Sequence, residues 1–254
     1  VVIHESDTTP GRVNLWAGKF AKKIATSYPE TVKLFPQTKT AWTGQPIRSE
    51  ITMPIKEGAE EFLKLEKAIP VILVLGGSQG AEKLNDVILD LLPKLLNKYQ
   101  VIHQTGALKY KDVIGAATVI LENHEHAKRY KPFNYLNELA LRMSAGITSL
   151  VITRAGSTLF EIAAWGKPSI VIPIPEEISQ DQTSNAFSYA RSGAAVVIEE
   201  KNLTPSILEY EIERIYGDKV LHNAFSNSAT AFGKHDAAKK IARVIVDIGL
   251  SHEN

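Results

Sequence analysis

The run Val71-Ile-Leu-Val-Leu-Gly-Gly-Ser-Gln-Gly-Ala81 constrains this chain more than any other stretch. It reads as a buried apolar strand that passes through a glycine-rich turn directly into a helix rich in Leu and Lys. Gly76, Gly77 and Gly80 allow backbone N–H groups to face outward at the start of that helix, where its dipole favours a phosphate. A second corner of the same design follows at Leu150-Val-Ile-Thr-Arg-Ala-Gly-Ser-Thr-Leu-Phe-Glu161. Two such corners in one parallel sheet predict a site for a diphosphate-bearing ligand, a nucleotide above all.

The pattern around these corners predicts the fold class. From Ile69 onward, strands are expected at Val71–Leu75, Gln100–Gln104, Thr118–Leu121, Leu150–Thr153, Ser169–Pro173 and Ala195–Ile198. Helices are expected at Ala81–Tyr99, Leu136–Ala145, Thr158–Ala164, Gln182–Arg191 and Pro205–Tyr216, with two more at Asp218–Phe232 and Asp236–Ile248. Continuous β-branched and Leu runs suit strands covered on both faces. Alternation implies right-handed crossovers and a doubly wound, Rossmann-like parallel sheet, whose ligands bind at the carboxyl ends of the strands. Before Ile69 the pattern is less regular. A strand at Val1–His4, a turn at Pro10-Gly11, an amphipathic helix Val13–Lys23 and a short strand Ile24–Ser27 lead into an irregular run from Pro29 to Thr43. A charged helix Glu57–Lys67 follows, and the surrounding proline and charge suggest sparse contacts and an interdomain linker.

Composition removes several classes of function. The chain has 254 residues and 44% apolar content, and no apolar run approaches the ~18 residues of a membrane-spanning helix. With 29 basic against 28 acidic side chains there is no electrostatic case for nucleic acid. Without cysteine there are no disulfides, thiolate nucleophiles or Cys-zinc sites. His124-Glu-His126 lacks a third ligand and reads as a solvated edge, and no Asp-x-Asp offers a metal-bridged diphosphate, so neither metal nor cofactor is expected. Gly-x-Ser-x-Gly is missing, so a hydrolase nucleophile elbow is not formed. The chain opens on valine in mid-strand, and the expectation is that it is the later part of a longer protein.

Each corner has two readings. Ser78 and Gln79 flank the first set of glycines and offer hydrogen bonds to phosphate oxygens, but the pattern is neither Gly-x-Gly-x-x-Gly nor a Walker loop, and a plain tight turn gives the same residues. In the second corner, Thr158 and Glu161 have capping-box spacing, while the alternative gives Glu161 two hydrogen bonds from a ribose diol. Arg154 is either structural or faces phosphate. Gln182 and Asn185, one helical turn apart, suit sugar hydroxyls or are ordinary polarity at a helix start.

Together these segments resemble the lipid II-forming N-acetylglucosaminyltransferases of glycosyltransferase family 28. The similar blocks are Val2-Ile-His-Glu5 with Pro10-Gly11 and Asn14, Gly44-Gln-Pro-Ile-Arg48, Gly76–Ala81 with Asn85, Arg154-Ala-Gly156 through Glu161-Ile-Ala-Ala164, and Asp181-Gln-Thr-Ser-Asn-Ala186. They occur in the family's order over positions 2 to 186. The resemblance implies a GT-B architecture: two Rossmann-like domains across a cleft, the C-terminal one holding UDP-N-acetylglucosamine (UDP-GlcNAc). It divides the chain into 1–45 (remnant of the acceptor-side N-terminal domain), 46–68 (linker), 69–233 (donor domain) and 234–254 (a helix returning toward the N-terminal domain).

Carried over by position, the resemblance places Ser78 on the diphosphate, Arg48 near it, and the Leu136 backbone on uracil. Ser157, Thr158 and Leu159 would line the nucleotide, Glu161 would bind the ribose, Gln182 the GlcNAc hydroxyls, Asp7 the donor sugar, and Asn14 would face the acceptor. The implied activity is inverting transfer of GlcNAc to the C4 hydroxyl of an undecaprenyl-diphosphate-linked muramoyl-pentapeptide, by a peripheral enzyme that meets the cytoplasmic face of the bacterial membrane through the part of the N-terminal half not in this sequence. Asp7 stands where the family has Asn, the segment from Arg154 to Glu161 is one residue short, and Asp181 replaces a His or Gln. The family's Gly-Gly-Thr-Gly-Gly-His loop, with its proposed base, is not in this sequence, nor are on the order of 100 further residues of that half. A non-catalytic UDP-sugar-binding subunit and a related UDP-sugar transferase with another acceptor are the alternatives. In the segment Leu15–Lys23, Trp16 and Phe20 are expected to face the core rather than lipid.

Overall fold

The computed structural model describes residues 1–77, 81–175, 177 and 180–251, apart from the side chains of 180 and 181. The chain opens with β1 (Val2–Glu5), α1 (Arg12–Gly18), β2 (Lys23–Thr26) and β3 (Thr40–Trp42), whose strands form a parallel sheet in that order. The helix expected over Val13–Lys23 stops at Gly18, where a Cβ would lie 3.0 Å from the Phe35 ring, and Lys23 already belongs to β2. The run Pro29–Thr43 is not wholly irregular, because Thr40–Trp42 pairs with β2. Trp16 and Phe20 do not face the core: they stack edge to face at 5.5 Å and are 65% and 68% exposed.

A connecting stretch follows that contains only one short helix, α2 (Ala59–Phe62). The helix expected over Glu57–Lys67 breaks because Lys64 and Ala68 take positive φ values of 54° and 64°, outside the helical range. Nor is the stretch sparsely packed. Ile51 is fully buried and its carbonyl accepts the Trp165 indole N–H at 2.7 Å, while the Ile55 N–H donates to the Arg142 carbonyl.

The second sheet carries the site. It comprises β4 (Val71–Leu75), β5 (Gln100–Gln104), β6 (Tyr130–Phe133), β7 (Thr148–Thr153), β8 (Ser169–Val171) and β9 (Ala195–Val197), all parallel, in the order β6-β5-β4-β7-β8-β9. The crossovers are α3 (Glu82–Leu95), α4 (Tyr110–Ile120), α5 (Glu138–Ile147), α6 (Thr158–Ala164) and α7 (Gln180–Arg191), followed by α8 (Pro205–Gly217), α9 (Lys219–Phe232) and α10 (Ala237–Leu250). All of β4 is buried, and its alternating side chains serve two cores. Ile72 and Val74 pack with α3 and α8; Val71, Leu73 and Leu75 pack with α5 and Trp165. On α3, Leu84, Val87, Ile88, Leu91, Leu92 and Leu95 form the apolar stripe that seats this helix on the sheet.

One expected strand is wrong. Thr118–Leu121 falls in and just after α4, where Val113 and Ala117, four residues apart, are the inward positions and Val119 is 73% exposed. The missing strand is β6, hidden in the sequence by Pro132, which an edge strand tolerates because one side needs no ladder hydrogen bonds.

From β4 the chain winds one way to β5 and β6, then returns to the other side of β4 as β7, β8 and β9. The topological switch point therefore lies between the carboxyl ends of β4 and β7, where an open α/β sheet leaves a crevice.

Candidate functional site

Leu75 and Thr153 are register partners at the ends of β4 and β7, so the two glycine corners begin side by side. They open onto one cleft of about 490 Å³. It is lined by Gly76 and Gly77 of the first corner, Gly156, Ser157 and Thr158 of the second, Gln104, Tyr135, Leu136 and Leu141, and Arg48, Glu161, Ile174 and Gln182. Gly77 has φ +86°, a left-handed conformation that favours glycine. The Gly76 N–H donates to the Gln104 carbonyl at 3.2 Å, tying the first corner to β5. Ser78 and Gln79 lie outside the described residues.

The second corner is not closed by a capping box. Ser157 is the N-cap residue and makes no side-chain cap bond, and Glu161 lies four residues after it rather than at the third position that a capping box uses. Its carboxyl group has no hydrogen-bond partner among the described residues and faces the cleft half-buried. Burial raises its pKa above the ordinary carboxylate value, with the Arg48 guanidinium pulling in the opposite direction. Arg48 is itself half-exposed and only 4.0 Å from Glu138, a loose pairing that leaves it available to an anion. Gln182 accepts the Ile174 N–H at 3.2 Å and so fixes the loop after β8 against the cleft mouth.

Other expected binding residues have different duties. Arg154 lines the cleft, but its guanidinium donates to the Ile172 and Pro173 carbonyls at 3.2 and 3.3 Å and pairs with Glu200, so it braces β7 against the loop after β8. Asn85 is 1% exposed and turned inward: its amide donates to the Thr105 carbonyl and accepts from His103. Since Asn85 Oδ1 is the acceptor, His103 carries its proton on Nε2, and the Tyr130 hydroxyl donates to Nδ1 at 2.9 Å. Burial pushes the His103 pKa down to about 3, which keeps the ring neutral in this bridge. Leu159 is fully buried among Tyr28, Phe160 and Tyr189 rather than lining the cleft. Of the Leu136 backbone, expected to meet uracil, the N–H is taken by Gln104 Oε1 at 2.9 Å.

Asp7, Asn14 and Asn185 also stand away from the cleft lining. Asn185 is buried, its Oδ1 accepting from the Thr8 N–H and hydroxyl and its Nδ2 donating to Asp7 at 2.7 Å. Asn14 donates to the buried Glu5 carboxylate at 2.9 Å, which also accepts the Asp7 and Gly11 N–H groups. A larger cavity of about 720 Å³ lies on the far side of Ile174, between Thr8, Thr9 and the α7 residues Thr183 and Phe187, and contains neither glycine corner.

Sequence reasoning missed Gln104, Tyr135 and Leu141. Gln104 carries a legible signal: a polar residue at the carboxyl end of a wholly buried strand points at the crevice of a parallel sheet. Tyr135 and Leu141 depend on β6, which was not recognised.

Residues 71–241 match the glycosyltransferase family 28 C-terminal domain. The chain is 36% identical over 247 residues to UDP-N-acetylglucosamine--N-acetylmuramyl-(pentapeptide) pyrophosphoryl-undecaprenol N-acetylglucosamine transferase 3 of Bacillus thuringiensis (strain Al Hakam), covering 96% of this chain and 65% of that protein. It is 34% identical over 249 residues to the transferase of the same description from Lachnospira eligens, covering 97% of this chain and 66% of that one. This chain thus spans about 65% of the length of these curated relatives. The crystal structure of Acinetobacter baumannii MurG superposes with a TM-score of 0.73 at 22% identity, over 97% of this chain and 66% of that one.

Proposed function

Given that this chain belongs to glycosyltransferase family 28, we propose that its cleft binds UDP-GlcNAc and that the protein transfers GlcNAc to the C4 hydroxyl of an undecaprenyl-diphosphate-linked muramoyl-pentapeptide. The observation that carries this reading is the convergence of both glycine corners, Arg48 and Glu161, whose carboxyl group has no hydrogen-bond partner among the described residues, on one cleft at the switch point of the sheet. The names of the relatives supply the sugar and the acceptor.

In this reading the diphosphate lies over Gly76 and Gly77 with Arg48 beside it, and Glu161 accepts hydrogen bonds from the two ribose hydroxyls. The acceptor C4 oxygen attacks the anomeric carbon of GlcNAc from the face opposite the diphosphate. A new C–O bond forms with inversion, the bond to UDP breaks, and its electron pair ends on the β-phosphate. Arg48 and the corner N–H groups other than that of Gly76, which Gln104 holds, stabilise that charge where it develops. The acceptor proton goes to a base that the resemblance places in a Gly-Gly-Thr-Gly-Gly-His loop, a motif absent from this sequence.

The division into an acceptor-side part (1–45), a linker (46–68), a donor domain (69–233) and a returning helix (234–254) belongs to the same reading. So does contact with the cytoplasmic face of the membrane. None of the described helices is long and apolar enough to cross a bilayer. α1 and the two residues that follow it present Val13, Trp16 and Phe20 to solvent beside exposed Arg12 and Lys19, an aromatic and basic surface suited to anionic lipid headgroups.

Calorimetric titration with UDP-GlcNAc, UDP-glucose and UDP-galactose tests the assignment of the donor. Preference for UDP-GlcNAc supports it; equal affinity for all three removes GlcNAc from the reading.

A further inference from the structure

Gln104 closes β5 and ties both the first glycine corner and the Leu136 segment to that strand. Its carbonyl accepts the Gly76 N–H at 3.2 Å, and its side-chain Oε1 accepts the Leu136 N–H at 2.9 Å. The second bond fixes the orientation of the amide, because a backbone N–H must face the oxygen and not the NH2 group. The side chain lines the cleft, and its Nε2 has no hydrogen-bond partner among the described residues. The polar end that Gln104 leaves to the cleft is therefore a donor. Its neighbours there, Tyr135, Leu136 and Leu141, make this the apolar end, suited to a flat base, while Arg48 and Glu161 mark the charged end.

We propose that Gln104, locked by Leu136, is a specificity-determining residue that selects uracil by donating a hydrogen bond to the carbonyl oxygen at position 4 of the base. The inference rests on the UDP-sugar reading of the cleft and adds the residue that discriminates the base. Strand order supports the placement. β5 and β7 flank β4, so Gln104 and the corner leading to Glu161 stand two strand positions, roughly 10 Å, apart. With the ribose at Glu161, the glycosidic nitrogen points toward β7, and the atom directly across the ring is the substituent at position 4. In uracil that substituent is a carbonyl, which accepts from Nε2. In cytosine it is an amine, which sets donor against donor and leaves both unpaired.

The test is calorimetric titration of UDP and CDP into the whole chain and into two variants, Gln104→Glu and Gln104→Met, with thermal unfolding confirming that each variant is folded. Glutamate keeps an acceptor for Leu136 but replaces the cleft-facing donor with an acceptor; methionine has similar length and no donor, so it separates loss of the contact from the effect of a buried charge. The expected result is a wild-type preference for UDP that falls about tenfold or more in the variants, with Gln104→Glu falling furthest. A UDP-to-CDP ratio unchanged in the folded variants overturns the role of Gln104 and leaves the donor site standing. A wild-type chain that binds neither nucleotide overturns the donor-site reading and this inference with it.

Discussion

Asp7 and Asn185, 178 residues apart, share a hydrogen bond of 2.7 Å that fastens the loop after β1 to the middle of α7. Thr8 completes the clasp by donating twice to the Asn185 carbonyl oxygen, so every polar atom of this buried amide is used. An acidic residue at position 7 suits the arrangement, because Asn185 presents its NH2 group there and needs only an acceptor.

Replacing Asn185 with Ala leaves the Thr8 donors and the Asp7 acceptor without their partner. The expected cost is about 1–3 kcal/mol, read as a lower midpoint in urea unfolding. A second substitution, Asp7→Ala, made on top of Asn185→Ala is expected to cost much less than it does alone, because the bond it would remove is already gone. Equal cost in both backgrounds would show that the two side chains do not interact.

The buried bridge through His103 gives a pH dependence of definite sign. The folded-state pKa, about 3, lies below the ordinary value of 6.5. Between those values the unfolded chain binds a proton at this site and the folded chain does not, so this group favours unfolding increasingly as pH falls from about 6.5 toward 3, by at most about 1.4 kcal/mol per pH unit. His103→Asn is expected to flatten the decline of the unfolding midpoint over that window relative to the wild type. Parallel pH profiles would mean that His103 is protonated in the folded chain.

The surface of α1 makes a separate prediction. Trp16 and Phe20 are exposed, so Trp16→Ser with Phe20→Ser is expected to change unfolding stability by under about 0.5 kcal/mol. The same change is expected to lower cosedimentation with phosphatidylglycerol vesicles, and added salt to lower that of the wild type. Vesicle binding that is indifferent to both would remove α1 from the membrane surface.

How much of this was legible in the sequence differs between the sheet and the site. The strands β4, β5, β7, β8 and β9 were legible because each is a short apolar run ended by Gly, Pro or polar residues, and both corners followed from them. β6 was not, because Tyr130-Lys-Pro-Phe133 is polar and interrupted by proline, and only its place at the sheet edge makes it a strand. Among the site residues, Arg48, Ser157, Thr158, Glu161 and Gln182 do gather in one cleft. Leu159 and Asn185 lie on the same helices as these residues, and Asn85 on α3, but all three are buried away from the cleft, a matter of helical phase that motif spacing does not record. Asn85 in particular is held inward by His103, a partner 18 residues away on β5.

The most direct test of the central claim is calorimetric titration of UDP-GlcNAc into the wild-type chain and into Glu161→Ala. Loss of a charge-assisted pair of hydrogen bonds to the ribose corresponds to roughly ten- to a hundredfold weaker binding, with the unfolding midpoint little changed because the Glu161 carboxyl group makes no hydrogen bond to a described residue. Binding by the wild type that weakens by this factor in the variant is the expected result. A wild type that does not bind the nucleotide sugar, or a variant that binds it equally well, would contradict the assignment of this cleft as the donor site.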